Sequence, residues 1–418
     1  RRGCRPTKAL LWGGGVKRCA GKSAPGGLRP EPLPFHFPAV MARKDALIAD
    51  FAGHRRGQLA DGRFEFLRSP ARFLDPHTLV LADGRTLRAG HFVIATGSVV
   101  AEPPLPALRE AGCLTSDDCV RLETLPRSLV ILGGGAIACE FAQFFARFGV
   151  AVTLVQRSPR LLRGFDADAA RVVETVFRRE GLRVFTGTRL LDARRTSAGR
   201  AVLFEHEGRV QTVEAEAILH ALGRTPNTRP LNLAAAGVAT DGDRIVTDAA
   251  QRTSAPHIYA AGDCCGPHEI VHLAVQQGEV AARNILCAGA PRTMDYRLLT
   301  SVVFTEPQVA AVGLTEAAAR AQGVPFVAAS HPFHDHGKSM IMDALDGFVK
   351  LLADPRTGEI LGGACVGPLG GELIHEVTVA LAARMTAHQF AAVPHYHPTL
   401  AEIWTYPAEE LAEQAGAS

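Results

Sequence analysis

A chain of 418 residues with 47% hydrophobic content is long enough for roughly two to four domains, each with a core of its own. A net charge of +3 gives no footing for a nucleic-acid or membrane-surface partner, and no apolar run reaches the length of about eighteen residues that a membrane helix needs. Nine cysteines without framework spacing favour a reducing, cytoplasmic setting; because the chain begins with Arg1, a targeting segment ahead of it stays open.

In chain order, the Gly- and Pro-rich residues 13–38 read as loop, and Val40 to Leu59 has helical spacing. Strand patterns fall at 62–67 and 78–82, then a turn at Asp83-Gly84 and a strand at 85–88. His91–Ala95 reads as a buried strand ending in Thr96-Gly97-Ser98, and Pro103, Pro104 and Pro106 mark a linker. From near Pro126 the pattern becomes strand (Leu129–Leu132), glycine turn (Gly133-Gly134-Gly135), helix (Ala136–Phe148, ended by Gly149) and strand (Val150–Val155). A helix at 166–180, a strand at 182–185, a hairpin at 201–214 and the strand Ala217–Ala221 follow. The strand His257–Ala260 runs into Gly262-Asp263, ahead of a helix over 270–287. Beyond 298, strands at 301–304, 308–313, 347–353 and 359–366 alternate with helices, the pattern of a separate α+β domain with an antiparallel sheet.

Residues 129–157 carry a dinucleotide fingerprint in its proper context, with a buried strand on either side. Gly133 permits the tight turn, Gly135 lets backbone approach a pyrophosphate, and Ala138 takes the third small position where helix meets strand. The free N–H groups of the helix, from Ala136 and Ile137 on, suit phosphate. The end of the second strand holds Gln156, where a carboxylate would grip a ribose 2′-hydroxyl. Arg157, Ser158 and Arg160 follow it. A guanidinium pairs with a 2′-phosphate, so the chemistry leans to NADP(H) over NAD(H).

Four further segments join this unit in fixed order: GCRPTKALL at 3–11, FVIATGS at 92–98, YAAGDCCGPHEIVHLAVQQG at 259–278 and HYHPTLAEIW at 395–404. With LGRTPN at 222–227, the combination resembles the class I pyridine nucleotide–disulfide oxidoreductases over nearly the whole chain. The resemblance implies an α/β chain with two Rossmann-like dinucleotide-binding domains, for FAD and NAD(P), plus an α+β dimerisation domain. The divisions are 1–125 (FAD domain, first part), 126–243 (NAD(P) domain), 244–297 (FAD domain, second part) and 298–418 (dimerisation domain). GCRPTKALL is similar to the tail of the family's CxxxxC redox helix. Cys4 is then the flavin-facing cysteine, and its partner, like the FAD domain's own GxGxxG unit, is expected ahead of residue 1.

The same resemblance implies site roles. Lys8 and Glu140 form an ion pair beside flavin N5, where hydride arrives and negative charge develops. Asp263, after Gly262, accepts hydrogen bonds from ribityl hydroxyls. Ala71, Ala95, Thr96, Gly97, Gly223, Arg224 and His272 join the cofactor contacts, with Gly133 to Ile137, Gln156 and Arg157 on the nicotinamide nucleotide. His397 handles the proton of a thiol substrate, and Glu402 orients it, the logic of a base held by a third group. In the family this pair serves the other subunit, so a homodimer is implied. His395 is a nearby decoy. His331, His334, His336 and His375 show no metal spacing and read as structural or surface residues, Cys264 and Cys265 read as packed thiols, and no metal is expected.

The leading reading is an FAD-dependent NAD(P)H oxidoreductase for a small-molecule disulfide or dithiol, working through a cysteine pair that includes Cys4. Histidine at 397, where mercuric reductases carry tyrosine, favours a sulfur substrate over Hg²⁺. The sequence does not choose between dihydrolipoamide, glutathione and another disulfide. Flavin-mediated transhydrogenation between nicotinamide cofactors, or a redox-inactive chain that only dimerises or binds nucleotide, are the alternatives.

Overall fold

The computed structural model describes residues 4–21, 35–287 and 289–416, and the side chain of Cys4 falls outside that description. The chain divides into two compact units: one from 50–102 and 223–296, the other from 2–49, 103–222 and 297–418.

In the larger unit, a four-stranded parallel sheet runs in the order Ala217–His220, Ser128–Leu132, Ala151–Val155, Arg183–Phe185. Its two central strands are almost wholly buried, which is why they read as unbroken apolar runs. The helix Ala136–Arg147 joins these two strands. It buries Phe141, Phe144 and Phe145, and these pack with Phe148, Leu129 and Ile131 in the main core. The helix Ala167–Arg179 returns to the outer strand. A three-stranded antiparallel sheet follows, Arg189–Thr196, Gly199–His206 and Arg209–Ala215. Here the expected hairpin gains a third strand, whose arginines hid its one fully buried position, Ala193.

The carboxyl-terminal part of this unit is a five-stranded antiparallel sheet in the order Thr300–Val303, Gln308–Gly313, Ile360–Gly367, Phe348–Ala353, Val327–Pro332. The helices Gly370–Ala382 and Thr405–Gly416 supply Ile374, Val377, Leu381 and Leu411 to its core, beside Trp404 and Phe390. The sequence placed four of these strands; Val327–Pro332 was missed.

Two readings need correction. Gly13-Gly14-Gly15 is not loop but lies inside the helix Cys4–Gly21. Glycine is a poor helix former, and anchoring overrides it here. Lys17 Nζ donates to Arg147 O at 2.8 Å, and the Arg18 guanidinium pairs with Glu306 at 2.8 Å. The stretch 22–34 lies outside the described residues, and the next helix, Phe37–Leu59, starts three residues before the expected Val40. Residues 62–67 form no strand: Phe64 and Phe66 alternate but stand exposed, without a paired neighbour.

In the smaller unit the strand falls instead at Ala71–Asp75, pairing with Thr78–Leu81, which pairs with Thr86–Arg88. Phe92–Ile94 pairs in parallel with Ile258–Ala260, and Ser98–Val100 pairs antiparallel with Arg224–Pro226. Phe73, Ile94, Ile245, Ile258 and Cys264 form the core, and the helix Val271–Leu286 follows in the chain. Among the described residues, no helix is long and apolar enough to cross a membrane.

Candidate functional site

The fingerprint turn is shaped by two different demands. Gly133 has φ +118°, and a Cβ there would lie 2.4 Å from Ala221 O, so the fold itself excludes a side chain. Gly135 has an ordinary φ of −79°, and a Cβ would meet nothing within 4 Å. Among the described residues nothing requires glycine at 135; its bare backbone leaves room for something from outside. Gly135, Ala136 and Ile137 are exposed, and no side chain caps the helix Ala136–Arg147. Its first N–H groups are thus left for an anion, and these residues fit a dinucleotide pyrophosphate.

At the end of the second strand, the Gln156 side chain packs over Gly134, and the Gln156 backbone N–H donates to Phe185 O at 2.8 Å. Arg160 is committed: its Nη2 donates to Phe165 O at 3.2 Å. Arg157 is exposed and makes no hydrogen bond or ion pair among the described residues.

Glu140 lies one turn further along the fingerprint helix, buried. Its Oε1 and Oε2 accept from Lys8 Nζ at 2.7 and 2.5 Å, and Oε1 also accepts from Phe304 N–H at 3.0 Å. Lys8 sits 4.6 Å over the Phe304 ring, and its side chain keeps 28% exposure against 3% for Glu140. The carboxylate is therefore satisfied, while the ammonium keeps an open side. Cys4 precedes Lys8 by one turn on the same helix face.

In the smaller unit, Asp263 Oδ2 accepts from Ser98 Oγ at 2.7 Å. Arg224 Nε donates to the same hydroxyl at 2.7 Å, and its Nη2 donates to Ser98 O at 2.8 Å. Gly97 is fixed through its carbonyl, which accepts from Asn227 N–H at 2.9 Å; Ala95 and Thr96 beside it are exposed. Gly223 is tied by Ala101 N–H to its carbonyl at 3.1 Å. Ala71 stands apart, paired with Leu81 at the start of its strand, and His272 is exposed in the first turn of Val271–Leu286.

Near the carboxyl terminus, His397 Nδ1 lies 2.9 Å from Glu402 Oε2. The histidine side chain is 80% exposed and the glutamate 12%. Ile403 and Trp404 are fully buried next door, and Trp404 Nε1 donates to Leu373 O at 3.2 Å, which anchors the segment that presents His397. Its second ring nitrogen is left for a proton-transfer partner.

The sequence model of the pyridine nucleotide-disulphide oxidoreductases matches residues 2–278, and the model of their dimerisation domain matches residues 299–408. The chain belongs to this family. It is 33% identical over 418 residues to dihydrolipoyl dehydrogenase of Geobacillus stearothermophilus, covering 99% of this chain and 87% of that one. It is 36% identical over 416 residues to mercuric reductase of Streptomyces lividans, covering 97% and 87%. Among solved structures it is similar to the HOCl-induced flavoprotein disulfide reductase RclA from Escherichia coli, with a TM-score of 0.85 and 25% identity over 97% of this chain and 89% of that one. The protein is thus an FAD-dependent oxidoreductase that works on a pyridine nucleotide and a sulfur group, and its dimerisation domain makes it a homodimer.

Several supporting residues of this oxidoreductase escaped the sequence. Gln277 clamps the Asp263 turn: its Oε1 accepts from Gly262 N–H at 2.7 Å and its Nε2 donates to Gly266 O at 2.8 Å. Cys264 and Cys265, read as packed thiols, are buried free thiols that donate to the backbone of the turn, Cys264 Sγ to Ala261 O and Cys265 Sγ to Gly262 O, each at 3.3 Å. His336, read as structural or surface, is buried with Nε2 3.3 Å from Glu402 Oε1. The His395 side chain is only 5% exposed, with Nε2 2.5 Å from Glu376 Oε1 and Nδ1 2.8 Å from Val393 O.

Proposed function

We propose that this chain is an NADPH:disulfide oxidoreductase whose substrate is a small-molecule disulfide or the corresponding dithiol, acting in a reducing, cytoplasmic setting. The observation that carries the reading is the His397–Glu402 pair, an exposed imidazole fixed through one nitrogen by a half-buried carboxylate. The eight cysteines whose side chains are described are free thiols, in keeping with such a compartment.

Bound FAD would supply the two-electron chemistry that links the nicotinamide to sulfur. The chain's residues frame that transfer. Gly135 and the N–H groups of Ala136 and Ile137 hold the pyrophosphate of the nicotinamide nucleotide, and Arg157 pairs with its 2′-phosphate. Ser98, Arg224 and Gln277 hold Asp263 ready to accept from ribityl hydroxyls. The Lys8 ammonium, paired with Glu140, offers positive charge where hydride arrives. Cys4 is one of the two sulfurs that exchange with substrate. In the disulfide-reducing direction the substrate S–S bond breaks and takes up two electrons and two protons. The electrons and one proton trace to NADPH and one proton comes from water. His397 gives its proton to the departing thiolate, and Glu402 stabilises the imidazolium that held it.

The test is NADPH oxidation by the FAD-loaded protein with lipoamide, glutathione disulfide and Hg²⁺ as acceptors. The reading expects a disulfide to support turnover and Hg²⁺ to support none. Turnover with Hg²⁺ alone, or with no disulfide, rejects it.

A further inference from the structure

We infer that His336 is a positioning residue for the proton-handling pair: it holds the second oxygen of the Glu402 carboxylate while His397 takes the first. This rests on the role given to His397 above.

Glu402 lies in the turn Ala401–Trp404, and His336 precedes the short helix Gly337–Ile341, 66 residues earlier in the chain. The structure sets the Glu402 carboxylate between two imidazoles. Oε2 faces His397 Nδ1 at 2.9 Å, and Oε1 faces His336 Nε2 at 3.3 Å. The two rings differ in all but that contact. The His336 side chain is fully buried, and its Nε2 makes no aligned hydrogen bond; Glu402 Oε1, 3.3 Å away, is the carboxylate oxygen it meets. Its other nitrogen, Nδ1, lies 2.8 Å from Ser339 Oγ, itself buried.

Proton counting then fixes the tautomer. Burial pushes the His336 imidazole below its ordinary value, against the pull of Glu402, and His331 and His397 add to the downward push. A neutral imidazole carries one N–H and one acceptor nitrogen. A carboxylate only accepts, so the N–H belongs on Nε2. Nδ1 then accepts from the Ser339 hydroxyl, which is free to rotate toward it. The result is a carboxylate flanked by two N–H groups: Ser339 O–H donates to His336 Nδ1, His336 Nε2–H lies against Glu402 Oε1 at 3.3 Å, and His397 Nδ1–H donates to Glu402 Oε2.

A carboxylate held by one oxygen can swing about its last torsion, which is broad and roughly two-fold. Held by both, it keeps one plane and fixes the His397 ring in one orientation. His336 does this without bringing a second charge, so Glu402 remains free to stabilise the His397 cation. Around His336 the Tyr406 ring, 6.5 Å away and stacked on His331 at 3.9 Å, and Phe333 supply apolar walls.

The test uses the FAD-loaded full chain and two substitutions. His336→Phe keeps a ring but removes the donor, while His336→Gln places an amide N–H near the position of Nε2. Each is made alone and with Glu402→Ala. Disulfide turnover is measured beside stopped-flow reduction by NADPH, with thermal unfolding as the check on folding. His336→Phe is expected to slow disulfide turnover by about ten- to a hundredfold, the loss of a hydrogen bond to a charged group, and to leave NADPH reduction unchanged. His336→Gln recovers most of that loss. In the Glu402→Ala background, His336→Phe adds nothing, because the two act as one unit. The inference is overturned by parent turnover in His336→Phe, by an equal loss in the Glu402→Ala background, or by a folded His336→Gln that stays as slow as His336→Phe. Should His336→Phe fail to fold, His336→Gln at a turnover more than tenfold below the parent decides against it. If His397→Gln, run alongside, turns over at the parent rate, it is the role of His397 that fails; if His336→Phe alone does so, only this inference fails.

Discussion

His395 and His397 stand two residues apart, and each lies against a glutamate, yet the surroundings give them opposite uses. His395 is 5% exposed, with Glu376 on one nitrogen and the Val393 carbonyl on the other. Both positions are taken, so the ring has no nitrogen left to exchange a proton with a substrate. His397 is 80% exposed and uses one nitrogen. The contrast separates a filled shell, which holds a fold together, from an open one, which is available for chemistry. Two lysines repeat it. Lys350 is buried among Asp166, Asp168 and Glu316 at 2.8–3.0 Å, whereas Lys8 meets the single carboxylate of Glu140 and keeps one side open.

The comparison breaks first at its open member. His397→Gln is expected to lower disulfide turnover by about 10²–10⁴-fold, as for a positioned general acid–base, with little change in thermal unfolding. Lys350→Met tests the filled cage, and there the effect falls on stability. Three carboxylates lose their cation, at a cost of about 3–5 kcal/mol read from denaturant unfolding. The pH dependence changes sign as well. In the parent, burial alone would raise Asp166, but Lys350 outweighs it, and the Lys350 hydrogen bond holds Glu316 down. Carboxyls held below their ordinary values stabilise at neutral pH and lose that contribution as pH falls below about 4. In Lys350→Met the crowded carboxylates are relieved by protons, so the unfolding midpoint rises between pH 7 and 5, where the parent stays flat.

His395→Gln comes next: it is expected to cost about 1–3 kcal/mol of stability by leaving Glu376 short of a partner, while disulfide turnover stays within a few-fold of the parent. The smallest effect belongs to an exposed group. Arg157→Ala is expected to raise the KM for NADPH by about tenfold, a charged hydrogen bond's worth, and to leave the KM for NADH unchanged. Equal changes for both cofactors would remove the 2′-phosphate assignment.

What the sequence revealed depended on distance along the chain. The fingerprint unit was legible because its determinants, two buried strands, a glycine turn and an apolar helix face, lie within residues 129–157 and obey local periodicity. His397 and Glu402 are five residues apart and came with their motif. Lys8 and Glu140 are 132 residues apart, and only the family resemblance joined them. His336, Gln277 and Ser98 were missed because a buried polar group that finds its partner across the fold leaves no spacing to read. The glycine run at 13–15 misled for the opposite reason: its local propensity is poor, but Lys17 and Arg18 tie the helix down from outside. Phe64 and Phe66 alternate as a strand would, and alternation without a partner strand makes none.

The central claim is that His397 moves a proton for sulfur and takes no part in the hydride step. The most direct measurement separates the two half-reactions of FAD-loaded His397→Gln in stopped flow, first reduction by NADPH and then reoxidation of the reduced protein by disulfide. The account predicts NADPH reduction at the parent rate and reoxidation slowed by about 10²–10⁴-fold. Reoxidation at the parent rate, or an equal fall in both half-reactions, would contradict it.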